Sequence, residues 1–138
     1  MVAFNKFEDF VNQLCQGTHN LDGTDTLECY LTNAAPSASL DSVKADLAEI
    51  ATGNGYAGPQ DTTNTGSETT GTFTVAGTDI VITATGAVGP FQYVVLQNTT
   101  PTTPLDPLIG WWDYGSTVTL ASGETFTIDF GASIFTVA

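Results

Sequence analysis

The sequence has no arginine, and only Lys6 and Lys44 stand against fifteen Asp and Glu, for a formal net charge of −13. Phosphate backbones are bound by clustered Lys and Arg, so a nucleic-acid partner is excluded by composition. The missing guanidinium also removes the bidentate clamp that phosphoryl transfer and carboxylate recognition rely on. The same charge sign disfavours an anionic membrane surface, and no run approaches the ~20 apolar residues that span a bilayer. The opening MVAFNKFEDFVNQLCQG has neither a basic end nor a small-residue cleavage site, so the chain is expected to be made and first folded in a cytoplasm. Cysteine is scarce too. Cys15 and Cys29 are too few for a disulfide scaffold; a bridge between them stays open, but two buried thiols suit a reducing compartment better.

Catalytic residue types are equally thin. His19 is the one histidine, set in a turn, and Cys15, His19 and Cys29 do not have zinc-finger spacing. Asp113, Asp129 and nearby Asp106 could supply a glycosidase pair only within a cleft, and a 138-residue chain has little volume for one once its core is filled. Gly53-x-Gly55 does not lie between a strand and a helix, so it is no dinucleotide fingerprint. Asn20, Asp22 and Asp25 carry hard oxygen ligands, yet their spacing reads as an Asp-rich turn rather than a calcium loop. The sequence therefore predicts no catalytic residue, cofactor or metal.

What remains is a folding sequence. Hydrophobic residues make up 41% and charged residues 12%, about half the usual charged share, so Thr, Ser, Asn and Gly must build the surface. Eight Phe, four Tyr and two Trp argue for a packed core. Phe4, Phe7, Phe10, Val11 and Leu14 recur at helical steps, which predicts an N-terminal helix over about 3–16, ended by Gly17. Residues 25–32 alternate as a half-buried strand, and a short helical piece is expected over 42–49. Residues 51–71 are rich in Gly, Asn, Thr and Pro, with Tyr56 their single large apolar residue; they read as a long loop held in order by a contact.

From residue 72 onward the signal is all strand. Residues 72–75 and 79–85 are expected to form one hairpin, and 116–120 with 124–130 a second, in which Phe126, Ile128 and Phe130 point inward. Residues 91–98 and 108–115 read as further strands, separated by a proline-studded connection. About seven strands at 8–12-residue spacing predict one mainly β domain over 1–138, an antiparallel β-sandwich or jelly-roll-like barrel with a short N-terminal helix and a long ordered loop. Strict alternation would place Leu108 and Trp112 on one face and Ile109 and Trp111 on the other, leaving one Trp outside the core. Phe4, Phe7, Tyr56, Trp111 and Trp112 are the candidates for a subunit interface, or, for the two Trp, a sugar-stacking platform.

The phrases NKFEDFVNQL, HNLDGTDTLECYLTNAAP, EIATGNGY, GPFQYVVLQN and PLIGWWDYGSTVTLASGETFTIDF resemble a family of short structural proteins encoded by tailed bacteriophages and prophages. The resemblance spans most of the chain, most strongly Thr18 to Pro36 and Leu108 to Phe130. It implies a virion protein, assembled in the host bacterial cytoplasm, that contacts the major capsid protein or other virion proteins. Small size suits a capsid decoration (cement) protein, which would be a homo-oligomer, a trimer being favoured. A tail, neck or baseplate component is the rival within the class, and a carbohydrate- or receptor-binding β-sandwich module the rival outside it.

Overall fold

The computed structural model describes residues 2–138. In chain order its elements are β1 (Asn5–Lys6), α1 (Glu8–Cys15), β2 (Leu27–Thr32), β3 (Gln60–Asp61), β4 (Thr65–Thr69), β5 (Thr72–Ala76), β6 (Ile80–Thr83), β7 (Val88–Asn98), β8 (Leu108–Leu120), β9 (Thr125–Ile128) and β10 (Phe135–Val137). One sheet runs β1-β8-β7-β2-β3; a second runs β10-β5-β4; β6 and β9 pair as a third. Every ladder is antiparallel.

The large sheet and the two small ones close on one another as a β-sandwich. Leu27, Cys29 and Leu31 of β2 meet Val75, Ile80, Ile82, Ile128 and Phe135 from the facing sheets in one buried cluster. Period-two alternation explains the choice, since odd-numbered residues of β2 share one face. The even-numbered Tyr30 turns outward, where Phe7, Leu47, Val95 and Leu108 bury it in a second, smaller cluster. The mainly β, sandwich-like expectation from the sequence is what the chain adopts.

Several local expectations change, each for a physical reason. The N-terminal helix starts at Glu8, not residue 3, because Asn5 and Lys6 pair with Trp111 and Gly110 and Phe7 N–H donates to Ile109 O at 3.1 Å. Phe4 thus lies ahead of the helix, stacked 5.2 Å from Phe135. In place of a helix over 42–49 there is a single 3-10 turn at Lys44–Asp46. The Asp46 carboxylate accepts the Ser42 and Val43 N–H groups, and this side-chain competition favours a turn over a helix.

The predicted loop over 51–71 contains β3 and β4. β4 turns into β5 through Thr70 and Gly71, both with positive φ (50° and 84°), the backbone of a tight type I′ turn. Neither predicted hairpin forms. β5 pairs with β4 and β10, β6 pairs with β9, and residues 116–120 complete β8 against β7. Non-local pairing wins because it places Ile80 and Ile82 over the same core as Ile128.

A bulge corrects the expected sidedness of the tryptophans. Gly110 pairs with Leu96 but Leu108 with Gln97, leaving Ile109 as an extra residue. Parity shifts there: Ile109 and Trp112 face the main core, whereas Leu108 and Trp111 face the outer cluster.

Candidate functional site

The five predicted contact residues separate by burial. Phe7 and Tyr56 are fully buried, which makes them core residues of this fold and not surface contacts. Phe7 underlies Trp111, their rings 4.6 Å apart, so Trp111 is the lid of the outer cluster. Tyr56 is the anchor of the long connection: its hydroxyl donates to Glu49 Oε1 at 2.6 Å and accepts Leu31 N–H at 3.0 Å. Burial, then the bond to Glu49, holds its phenol well above the ordinary range. Phe4 and Trp112 are half-buried and adjacent, with centroids 5.3 Å apart.

Trp112 opens onto a cleft of about 300 Å³ lined by Val2, Val94, Tyr114, Phe126, Thr127, Ile128, Asp129 and Phe130. Its walls follow from two strand features. The first is a wide bulge in β8: Asp113 pairs with Tyr93 and Val118 with Phe91, so residues 114–117 face Gln92 alone. Gly115 (φ 95°) makes the bend, and Asp113 Oδ1 fastens it by accepting Gly115 N–H at 2.8 Å and Gln92 Nε2 at 3.0 Å. The bend throws Tyr114 outward, 52% exposed, with its ring 5.6 Å from Phe126. The second feature is β9, whose alternation directs Phe126 and Ile128 inward, as the sequence predicts for these residues and Phe130, and leaves Asp129 exposed beyond its end. Asp129 Oδ1 accepts Gly131 N–H at 2.9 Å.

Of the predicted set, only Trp112 lines this cleft. Asp129, weighed in the sequence only as one carboxylate of a catalytic pair, is exposed beyond β9 as its alternation predicts, whereas Tyr114 was hidden because the bulge that lifts it breaks alternation. The signal was Gly115, a strand glycine, which marks such bends.

A second polar site is buried between α1 and the sheet. His19, expected as a plain turn residue, is only 7% exposed. Its Nδ1 lies 3.0 Å from Asn98 Nδ2, which also donates to Asp25 Oδ2 at 2.7 Å. Asn98 Oδ1 accepts Thr100 N–H, so the amide presents its NH2 group to His19. The network therefore assigns Nδ1 as acceptor and places the ring proton on Nε2, which has no hydrogen-bond partner among the described residues. Asp25 Oδ2 also accepts Asn20 N–H, and Asp22 Oδ1 accepts Thr24 N–H. The Asp-rich stretch is thus a hydrogen-bonded turn, and no group of three or more His, Cys, Asp or Glu able to hold a metal occurs among the described residues.

Burial lowers the His19 pKa below its usual 6.5, more than the Asp25 and Asp9 carboxylates raise it. The unfolded chain then takes up the proton first, and stability falls as pH drops below about 6.5 toward the depressed folded-state value. The urea midpoint should decrease between about pH 7.5 and 5, with a flatter profile in His19→Gln. Identical slopes in the two proteins would remove His19 as the cause.

Both cysteines are free thiols: Cys29 is buried in the main core, and Cys15 is exposed on α1, contrary to the expectation of two buried thiols. Burial pushes the Cys29 thiol far above its ordinary range, which makes it inert. No helix among the described residues is long and apolar enough to cross a membrane. Compared with protein-family models, with curated proteins and with solved structures, the chain matches none.

Proposed function

We propose that this chain is a non-enzymatic structural protein of a tailed-bacteriophage virion, a decoration (cement) protein that reinforces the head by contacts with the major capsid protein and with copies of itself. The observation that carries the reading is the Trp112 cleft. It is a concave surface lined chiefly by aromatic and aliphatic side chains, with one carboxylate, that of Asp129, in its lining. Apolar centres with few charges are what protein–protein contacts use. Val81 and Leu105 add further exposed apolar side chains. The resemblance to short virion proteins supplies the setting.

Counting copies per particle by quantitative mass spectrometry tests the proposal. Hundreds of copies are expected, and a deletion mutant should release its DNA at lower temperature or under gentler osmotic shock. A few to a few dozen copies would move the protein to the neck, tail or baseplate. The Trp112 and Tyr114 rings also favour a second reading, a glycan platform. Binding on a glycan array that disappears in Trp112→Ala would support that reading over the shell.

A further inference from the structure

The Trp112 cleft combines two features that a purely apolar partner would not use. Trp112, Tyr114 and Phe126 present aromatic rings toward it, and the Asp129 carboxylate stands beside them. Ring faces are the negative pole of the aromatic quadrupole, so rings and carboxylate attract the same kind of group. The chain itself is poor in that group. It contains no arginine, Lys44 Nζ is engaged with Glu49 at 2.9 Å and with the Tyr30 ring on the other face of the sheet, and Lys6 is the one further cationic side chain.

We infer that the Trp112 cleft takes a cationic side chain, arginine before lysine, carried on a different protein. Charge complementarity selects this occupant over the others. A second copy brings no arginine and a further −13, so charge opposes its use as the occupant of this site even where copies touch elsewhere. An apolar side chain would cover Asp129 and desolvate its carboxylate, which accepts Gly131 N–H, without bringing an opposite charge. A neutral sugar could use the polar groups of Trp112, Tyr114, Thr127 and Asp129, but it brings no charge to answer the carboxylate and lays hydroxyls against Val94 and Ile128. A planar guanidinium stacks on an aromatic ring and pairs with a carboxylate at once. The inference rests on the structural-protein reading and deepens it, by stating what the neighbouring subunit must bring.

The test uses the full chain in solution. Nitrogen–proton NMR spectra follow the Trp112 indole and the Tyr114 amide during addition of acetyl-Gly-Arg-Gly-amide, its citrulline counterpart, and a neutral oligosaccharide such as cellotetraose. The arginine peptide is expected to move both signals, and the citrulline peptide, equal in shape but uncharged, to bind several-fold more weakly. Asp129→Asn should weaken arginine binding about two- to fivefold, the range for an exposed ion pair. Tyr114→Ala should weaken it about two- to fivefold through the lost ring; that side chain is mostly exposed, so the fold survives its removal. Equal binding of arginine and citrulline, binding unchanged in both variants, or a response to the oligosaccharide alone would each overturn the inference. A chain that binds the arginine peptide in this way but is missing from virions would overturn only the virion reading.

Discussion

Replacing Tyr56 by alanine is expected to cost about 3–5 kcal/mol of folding stability, as for other buried aromatic truncations. The ring fills the main core between β2 and the connection that follows Ile50. Its loss also leaves the Leu31 N–H without the acceptor it has at 3.0 Å. Tyr56→Phe keeps the ring and removes only the hydroxyl, so it isolates the polar share, about 1–3 kcal/mol for a buried group left unpaired. Glu49 keeps its ion pair with Lys44 in both variants. Since a domain of this size is held by about 5–15 kcal/mol, the alanine variant should unfold at a markedly lower urea concentration. Hydrogen exchange adds a local signature: the Leu31 amide should exchange faster in Tyr56→Phe. A phenylalanine variant within about 0.5 kcal/mol of the parent, with Leu31 still protected, would show that the hydroxyl contributes nothing.

Tyr56 also shows what the sequence could reveal. A single large aromatic in a tract of Gly, Asn, Thr and Pro marked a contact, but not its direction, inward or toward a partner. Burial resolves this, and burial depends on chain segments far away in sequence. The same distinction runs through the fold. Alternation identified β2, β9 and the inward set Phe126, Ile128 and Phe130, and strand-rich runs marked β7 and the first part of β8, because side-chain period and type are local properties. Strand partners were not local. β6 finds β9 some 45 residues later (Ile80 with Ile128, Thr83 with Thr125), and no turn signal encodes that choice.

Bulges hid the cleft by a related route. At Ile109 one extra residue exchanges the faces of the two tryptophans, and at Tyr114 to Thr117 several extra residues lift a ring off the sheet. Period-two reasoning carries no information across such a break. His19 lies in a connection as expected, but its burial was not legible for a different reason. A lone histidine beside Asn20 has the composition of a turn, and its partner Asn98, which also binds Asp25, arrives from the end of β7.

Gly55→Ala is expected to be the most damaging of the glycine substitutions outside strands, at about 2–6 kcal/mol. Two costs add. Gly55 has φ 97°, where an L side chain costs about 1–3 kcal/mol. A Cβ built there would lie 2.0 Å from Thr83 O and 3.1 Å from Thr83 C, both main-chain atoms that cannot swing aside. Displacing packed backbone adds about 1–3 kcal/mol, as in overfilled cores. Gly123 separates the two costs: its φ is 89°, yet nothing lies within 4 Å of its would-be Cβ, so Gly123→Ala carries only the conformational cost. The gap between the two urea-derived stabilities measures the contact with β6, and equal losses would show that Thr83 yields freely. The consequence reaches Tyr56, because Gly53 and Tyr56 exchange backbone hydrogen bonds of 2.7 and 3.0 Å across this turn, and Asn54 O accepts Thr85 N–H at 2.8 Å. The Gly53-x-Gly55 stretch lets the chain lie against β6 closely enough to carry the tyrosine into the core.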